Sequence, residues 1–342
     1  MSQPYNRNSL TENILIESNY LHDNGVANSD TQHNLYIQAI NATYQFNYFG
    51  RNIPLSLGGN LKDRSAGTVI RYNWFEGHMR FLDIVEVQEH ATWVLETAYL
   101  DSLDGAVPDS AQLAFIREVE PEYRKAYVYG NIIKVKGSMD GSLLVHWGYD
   151  VFPENTRKGT LYFFNNTVSV ATDRSDAYRT RVFDLSTTDE TVECINNIIH
   201  ATSETPGSDA SFLNLTRYSG VVNLGVNWIS NGWVEGSGTV YGSDNLLSVK
   251  DNETPVDLTT LKPLPNSSVI DMAAELPDEL ADIHNVSLMY VEQISIGGIQ
   301  ESKGSTSTSG LILKEHDKRK MRNISNDISH LLPKKNLNLH SR

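Results

Sequence analysis

The chain lacks most of the features by which common functional classes are recognised. Cys194 is the one cysteine among 342 residues, so an internal disulfide is excluded, and its apolar surroundings predict a buried thiol rather than a nucleophile. No run of 18 apolar residues is present, so no membrane span is predicted. The GxSxG, HExxH, P-loop and dinucleotide-binding motifs are absent, which disfavours serine hydrolases, zinc proteases and nucleotide-dependent enzymes. The opening MSQPYNRNSL lacks the apolar segment of a signal peptide.

Positive charge is also scarce, because 28 Lys and Arg stand against 42 Asp and Glu, a net charge of −14. This balance argues against nucleic acid as a partner, since phosphate binding needs a basic surface. Nine of the basic residues lie in residues 301–342, so the chain before them is strongly acidic. The composition of residues 296–342 predicts a disordered tail, because few of them could offset the entropy of ordering.

What the chain does contain is a repeated phrase: a few alternating aliphatic or aromatic residues, an asparagine, then more apolar residues. It occurs seven times, with spacings of 28, 26, 58, 35, 31 and 30 residues. The repeated asparagines are Asn19, Asn47, Asn73, Asn131, Asn166, Asn197 and Asn227. The spacing of 58 indicates one ordinary repeat that carries an insertion, at about residues 88–124.

A period near 30 built from short strands, with little helical periodicity, predicts an all-β fold: a right-handed parallel β-helix of about eight coils. We place it in a domain of residues 1–295 with a closing segment at about 255–295. Asparagine tolerates the left-handed backbone of a sharp corner, and its amide can bond to the equivalent Asn of the next coil. Each coil then has a strand before the Asn, one after it, and a third that begins near residue 35, 61, 81, 142, 181 or 211. Leucine-rich and propeller repeats fit the spacing less well.

Stacking the third strands predicts an outward stripe of polar side chains. In LKDR, Lys62 and Arg64 point outward by strand alternation, while Asp63 points inward, for which the sequence offers no reason. Tyr36 and Lys62 each precede their repeat Asn by 11 residues, so they are predicted neighbours. The same sheet is expected to carry four more outward side chains: Gln38, Asp83, His146 and Asp184.

Several stretches resemble the right-handed β-helix proteins of the pectin-lyase-like superfamily. They include HNLYIQAINATYQFNYFG, GGNLKDRSAGTVIRYNWFEG, YRKAYVYGNIIKV and RKGTLYFFNNTVSV, and LKPLPNSSVIDMA is similar to a phrase that often closes such helices. The resemblance implies a secreted or cell-surface protein that binds an acidic polysaccharide along this wall. It also implies a helical cap over the first coil, whereas this chain opens almost directly on a coil. We therefore expect a truncated N-terminus; the alternative is a partner chain that covers the uncapped edge. The protein is expected to be a monomer unless this edge pairs.

The same resemblance suggests a chemistry. NLKDRSAGTVIRYNWF is similar to the Lys-bearing coil of the chondroitinase B and alginate lyase group, in which a Lys is the base of a β-elimination and an Arg on the next coil assists. By this similarity Lys62 is the base, with Arg80 or Arg64 steadying the carboxylate that neighbours the abstracted proton. The alternative is that Lys62 and Arg64 only form ion pairs with Asp83 or Glu86.

Other side chains are candidates for sugar contact or metal binding. The predicted substrate-binding residues are Tyr36, Gln38, His33, Asp83, His146, Trp147 and Trp93, although His33 could instead serve a turn hydrogen bond and His146 could serve packing. Asp83 and Glu86 in DIVEVQEH are candidate Ca²⁺ ligands, or else ordinary surface acids. The acidic insertion is expected to hold a short helix and to wall or cover the groove.

Three functions follow from these observations. The favoured one is a polysaccharide lyase that cleaves a uronate-containing glycan by β-elimination. The alternative is a non-catalytic glycan-binding or surface-adhesion solenoid with the same stripe. Glycoside hydrolysis is disfavoured, because the clustered aspartates of hydrolases with this fold are absent from the sequence.

Overall fold

The computed structural model describes residues 7–77, 79–136, 142–172, 180–203, 213–249 and 253–280. The predicted tail at 296–342 and the last part of the closing segment lie outside these residues. Within them the chain repeatedly runs through three strands, one for each of three sheets.

The three sheets are parallel throughout, and each strand pairs with the corresponding strand of the next coil. The first sheet consists of β1 (Glu12–Glu17), β4 (Ile40–Gln45), β7 (Ala66–Arg71), β10 (Lys125–Tyr129), β13 (Thr160–Phe164), β16 (Thr191–Ile195), β19 (Val221–Leu224) and β22 (Thr239–Tyr241). The second consists of β2 (Tyr20–Leu21), β5 (Tyr48–Phe49), β8 (Trp74–Gly77), β11 (Ile132–Lys136), β14 (Thr167–Thr172), β17 (Ile198–Ser203) and β20 (Trp228–Ile229). The third consists of β3 (Leu35–Ile37), β6 (Gly59–Asp63), β9 (Arg80–Ile84), β12 (Leu143–Trp147), β15 (Thr180–Leu185), β18 (Leu213–Tyr218) and β21 (Val234–Gly236). This is the predicted parallel β-helix, with all six predicted third strands in place.

The inward side chains of the three sheets form one continuous apolar core. Like residues stack from coil to coil: the Phe49 ring lies on that of Phe75 with 4.7 Å between centroids. Cys194 is fully buried in this core, and burial raises the pKa of its thiol to about 12. The predicted burial of this thiol is therefore confirmed, and a raised pKa disfavours the thiolate.

The seven repeat asparagines form one continuous ladder. Each side-chain N–H donates to the Oδ1 of the next Asn along the helix at 3.0–3.1 Å, from Asn19 to Asn227. The backbone N–H of each donor Asn bonds to the same oxygen. The predicted ladder is confirmed, and it leaves these buried amides paired.

The corner itself is built differently from the expectation. The left-handed backbone belongs to the residue before the ladder Asn, with φ of 56° at Phe46, 55° at Tyr72 and 65° at Gly130. The ladder asparagines do not have positive φ. Asn is required at its position for the coil-to-coil amide hydrogen bonds. The left-handed backbone conformation of the corner is adopted by the residue before it. At the fourth corner that neighbour is Gly130, where a Cβ would lie 2.4 Å from the Tyr72 ring.

The insertion folds into three helices rather than the one short helix expected: α1 (Ala91–Val94), α2 (Glu96–Ser102) and α3 (Ser110–Tyr123). Asp109 caps α3, since its side chain accepts from the backbone N–H of Ala111 at 2.8 Å. Val119 and Tyr123 pack against Ile40 and Ala66, so α3 lies on strands of the first sheet. None of the helices in the described ranges is long and apolar enough to span a membrane.

Candidate functional site

The outward residues of the third sheet stack into one file across six coils. Strand register places Tyr36, Lys62, Asp83, His146, Asp184 and Arg217 in succession. We call this file the third-sheet column. The predicted neighbours Tyr36 and Lys62 and the predicted members Asp83, His146 and Asp184 are confirmed. Arg217 was missed because it directly follows the predicted third strand SFLNLT (211–216), and because the distance from this strand to the ladder Asn changes from coil to coil.

Lys62 and Arg64 meet in a buried ion network. The Lys62 ammonium donates to Asp150, and Arg64 bonds to the other oxygen of Asp150 at 2.7 Å. Arg64 also pairs with Glu86 at 2.9 Å and donates to the Tyr36 phenol at 2.7 Å. Partial burial alone would raise the pKa of the Asp150 carboxyl, but Lys62 and Arg64 together hold it well below its usual range.

Glu86 completes this network from inside. Its two oxygens accept the backbone N–H groups of Asp150, Val151 and Phe152 at 2.9–3.0 Å, in addition to Arg64. The carboxylate is therefore saturated, and it has no free site with which to join Asp83 around Ca²⁺. No group of three or more His, Cys, Asp or Glu within the described ranges is arranged to hold a metal ion.

This geometry changes the role expected of Arg64, whereas Lys62 stays partly exposed. The Arg64 side chain is 2% exposed and makes four polar contacts within the protein, so the expected contact of Arg64 with a substrate is wrong and the ion-pair alternative applies. Lys62 keeps 10% of its side chain exposed. Its neighbour on the next coil is Asp83, and Arg80 lies three positions earlier on β9, opposite Gly59.

The inward Asp63 is explained by partners that the sequence did not reveal. Its carboxylate accepts from the Tyr44 hydroxyl at 2.6 Å and the Thr68 hydroxyl at 2.5 Å. Arg157, which is also fully buried, lies 3.7 Å away. Arg157 and Asp150 belong to the connection between β12 and β13, whose path no periodic signal in the sequence describes.

An open cleft of about 440 Å³ lies on the outer face of the third sheet. Three arginines and two tyrosines from neighbouring coils contribute to its walls. The lining residues are Arg80, Leu143, His146, Tyr149, Asp150, Arg181, Asp184, Ser186, Arg217 and Tyr218. The structure therefore brings the predicted Arg80 and His146 together in one cleft, with arginines that the sequence analysis had not selected.

Both predicted tryptophans lie elsewhere. Trp147 is fully buried, and its indole N–H donates to the Gly159 carbonyl at 3.0 Å, so it offers no surface for a sugar ring. The expected stacking role of Trp147 is therefore wrong: it follows His146 in the same strand and must point to the opposite face. Trp93 lies in α1, where its ring meets Phe115 edge-on at 6.1 Å.

Two buried carboxylates flank His146 in the column. Asp83 lies 3.5 Å from His146 Nδ1 and 3.9 Å from Arg80, and neither of its oxygens has a hydrogen-bond partner. Asp184 lies 3.5 Å from Arg181 and 3.6 Å from Arg217. Burial alone would raise the pKa of both. At Asp83 the His146, Lys62 and Arg80 charges reverse this and lower it to about 2, whereas at Asp184 burial prevails and the pKa is raised.

His146 is held from both sides. Its Nε2 lies 3.1 Å from the Ser186 hydroxyl, and Ser186 is itself bonded to the backbone of Tyr149. With Asp83 at Nδ1, the imidazole is fixed in orientation at the floor of the cleft. A fixed imidazole between two carboxylates can move a proton at a defined position.

The remaining predicted contacts lie at the N-terminal end of the column. His33 Nδ1 accepts the Gly59 N–H at 2.8 Å, the kind of backbone hydrogen bond that was the alternative for this residue, and burial lowers its pKa to about 4. The Tyr36 ring is 46% exposed and available for stacking. Gln38 follows β3 and lies outside the third-sheet column; it bonds to Glu89 at 2.8 Å and to the Gln88 N–H at 2.8 Å, so it contacts the start of the insertion.

Comparison of the chain with protein-family models, with curated proteins and with solved structures gives no match.

Proposed function

We propose that this protein is a carbohydrate-active β-helix that binds an acidic, uronate-containing glycan in the cleft and cleaves it by β-elimination. The observation that carries the proposal is the meeting of Arg80, Arg181 and Arg217 in one open cleft. The chain as a whole has 14 more negative than positive charges, so this concentration of cations is local. Arginine pairs with carboxylates through two parallel hydrogen bonds, which suits a uronate. A secreted or cell-surface location belongs to the same proposal, since such glycans are extracellular.

The reaction requires a base and a means of neutralising the uronate. The base removes the proton from the carbon next to the carboxylate, the electron pair forms a C=C bond, and the bond to the leaving sugar oxygen breaks as that oxygen takes a proton. The arginines neutralise the carboxylate and so make the abstracted proton more acidic. Lys62 is the base that the family resemblance suggests, but its ammonium donates to Asp150, so Lys62 must give up this contact and a proton before it can accept the proton of the sugar. His146, which lines the cleft, is the other candidate.

The test is incubation with alginate, pectate and glycosaminoglycans, with and without Ca²⁺, while the ultraviolet absorbance of unsaturated uronates is recorded. We expect one glycan class to give a rising absorbance, and we expect Lys62→Ala or His146→Gln, whichever removes the base, to slow it about 100-fold or more. Arg51→Gln is the matched control, because Arg51 pairs with Glu76 outside the cleft. Binding without new absorbance or new reducing ends would replace the proposal with a non-catalytic glycan-binding solenoid.

Hydrolysis is a second candidate, favoured by the pair Asp83 and Asp184. They occupy one column two strands apart, roughly 10 Å between backbone positions. Inverting glycosidases hold their carboxyl groups about 6.5–9.5 Å apart and separate their pKa values, as the environments of this pair do. New reducing ends without ultraviolet absorbance, abolished by Asp184→Asn, would identify hydrolysis.

A further inference from the structure

A carboxylate, an imidazole and a hydroxyl from three successive coils meet at the cleft. Asp83 lies on β9, His146 pairs with it in register from β12, and Ser186 directly follows β15. The imidazole stands between the other two groups: Nδ1 lies 3.5 Å from the Asp83 carboxylate, and Nε2 lies 3.1 Å from the Ser186 hydroxyl. This is the arrangement of a nucleophile, its base and the group that orients the base.

Gly148 leaves the space that the Ser186 hydroxyl occupies. Its φ is 137°, and a Cβ at this position would lie 2.5 Å from Ser186 Oγ. The hydroxyl accepts the Tyr149 N–H at 2.9 Å, and its own proton can point to the Tyr149 carbonyl, also at 2.9 Å, or to His146 Nε2. Rotation about the C–O bond is enough to turn the proton to Nε2, and this prepares the oxygen to act as a nucleophile.

Asp83 is placed to fix the tautomer of the imidazole. Its two oxygens are buried without a hydrogen-bond partner, and Nδ1 of His146 lies nearer to it than Arg80 does, at 3.5 Å against 3.9 Å. Although burial alone would raise its pKa, the charges of His146, Lys62 and Arg80 lower it to about 2, so Asp83 is ionised at neutral pH. An ionised carboxylate at Nδ1 keeps the proton on that nitrogen and leaves Nε2 free to take the proton of the hydroxyl.

The cleft also supplies positive charge for the oxygen of an attacked carbonyl. Arg181 Nε is buried without a hydrogen-bond partner, and the Asp184 carboxylate lies 3.5 Å from Arg181 and 3.6 Å from Arg217. Both distances exceed the usual N–H···O range, so Asp184 balances part of this charge and still leaves the Arg181 N–H available. These three residues line the same cleft as Ser186. Fixed donors of this kind stabilise an oxyanion.

We propose that the protein is a serine esterase that removes small acyl groups from esters bound in the cleft. A volume of about 440 Å³ suits a small acyl group such as acetyl together with its alcohol. This activity goes beyond glycan cleavage, because neither a uronate nor an elimination step takes part in it.

The reaction balances with water as the co-reactant. Ser186 Oγ forms a bond to the ester carbonyl carbon while its proton moves to His146 Nε2. The carbon–oxygen bond to the alcohol then breaks, and the alcohol oxygen takes the proton from Nε2. Water gives a proton to Nε2 and attacks the acyl-serine, which releases the carboxylic acid and returns the proton to Ser186.

This constellation is defined by geometry and not by a sequence motif. GxSxG, which the chain lacks, describes a serine on the strand-to-helix turn of one fold. Ser186 stands instead in FDLSTT, at the end of a β-helix strand. The same three groups occur in different chain orders on unrelated folds. Here the inter-strand spacing of about 4.8 Å brings one group from each coil within reach of the next.

Covalent labelling of the wild-type protein tests the proposal directly. An activated serine attacks the phosphorus of a fluorophosphonate with loss of fluoride, and we expect peptide mass spectrometry to find the adduct on Ser186. The protein should also hydrolyse para-nitrophenyl acetate. Ser186→Ala and His146→Gln should each lower labelling and hydrolysis at least about 100-fold, with circular dichroism as the check of folding. Arg51→Gln is the matched control and should change neither.

Asp83→Asn tests the positioning role of the carboxylate. Asn keeps the size of the side chain but cannot stabilise the imidazolium. We expect kcat for ester hydrolysis to fall about 100-fold while KM stays within about twofold. A purely structural role for Asp83 would change stability without this separation of kcat from KM, so an unchanged kcat in folded Asp83→Asn would overturn the role of Asp83.

The outcomes keep this inference apart from the proposed function. Absence of an adduct on Ser186 in the wild type, or ester hydrolysis that survives Ser186→Ala, overturns the esterase. Glycan cleavage without ester hydrolysis also overturns it and leaves the proposed function in place. Ester hydrolysis without cleavage of any glycan supports the esterase and overturns the proposed function.

Discussion

At the scale of single residues, Asn131 shows how many hydrogen bonds depend on one side-chain amide in the middle of the ladder. Its Oδ1 accepts two N–H groups of Asn73, at 2.9 and 3.0 Å, and its own amide donates to the Ile70 carbonyl and to Asn166. Asn131→Ala leaves buried donors without partners, and we expect it to lower the free energy of unfolding by about 2–4 kcal/mol. Urea denaturation followed by circular dichroism measures this loss.

The matched control is Asn19→Ala, at the exposed end of the same ladder. Asn19 donates to Asn47 and to the Glu17 carbonyl, but water can replace both contacts at this position. We expect a loss below about 1 kcal/mol. Equal losses for the two variants would mean that burial does not determine how much a ladder amide contributes to the free energy of unfolding.

His33 makes stability depend on pH. Burial lowers its pKa to about 4, below the ordinary value of 6.5, so between pH 4 and 6.5 the folded state binds fewer protons than the unfolded state. The free energy of unfolding therefore falls as the pH drops through this window, and above pH 6.5 the contribution is complete. Asp83, with a pKa of about 2, adds its own loss only below about pH 4.

The prediction is that His33→Gln has a smaller loss of stability between pH 6.5 and 4 than the wild type has. Gln can still accept the Gly59 N–H but does not titrate. Burial also lowers the pKa of His90 and His200, so part of the slope will remain. Denaturation curves at successive pH values give the comparison, and identical slopes for both proteins would show that His33 does not titrate with folding.

The residues show where sequence reasoning succeeds and where it stops. Period and strand alternation locate the ladder and the members of the column, because both depend on distance along the chain. They also imply that Trp147 points inward once His146 points outward, a consequence that the sequence analysis did not draw. They cannot find Asp150, which meets Lys62 from 88 residues away through an aperiodic loop.

At the scale of elements, Arg157 joins parts of three separate segments. Its guanidinium donates to the Val85 carbonyl just after β9, to the Ser65 carbonyl between β6 and β7, and to the Tyr123 carbonyl at the end of α3. It also neutralises the buried Asp63. We expect Arg157→Met to lower the free energy of unfolding by about 3–5 kcal/mol, because a buried carboxylate loses its cation.

The double variant Arg157→Met/Asp63→Asn tests the cause. Removing the orphaned charge should recover part of the loss, and thermal unfolding of the two single variants and the double variant gives the coupling. Strictly additive losses would show that the ion pair contributes nothing beyond the separate contacts.

The helical insertion illustrates the limit of prediction at this scale. Its length and place follow from the interrupted period of the repeat. Its three helices and the face that it covers depend on tertiary contacts with Ile40 and Ala66, which the sequence does not reveal.

At the scale of the whole molecule, each coil contacts mainly the coils before and after it. Stability in such solenoids is a sum of local terms, so the end coils open more easily than the middle ones. We expect amide protons of β10, β11 and β12 to exchange more slowly than those of β1, β2 and β3. Hydrogen exchange followed by mass spectrometry of peptides measures this gradient, and uniform protection would indicate a single cooperative unit.

The ladder also has a consequence for how the molecule tolerates change. Although the insertion separates them along the chain, β7 and β10 pair directly, and Asn73 bonds to Asn131 as if they belonged to uninterrupted neighbours. Each ladder Asn thus re-establishes the register between neighbouring coils. The length of a loop in one coil therefore does not change the strand register of the next coil. New loops could therefore be grafted between coils to reshape the rim of the cleft, while the third-sheet column beneath it keeps its alignment.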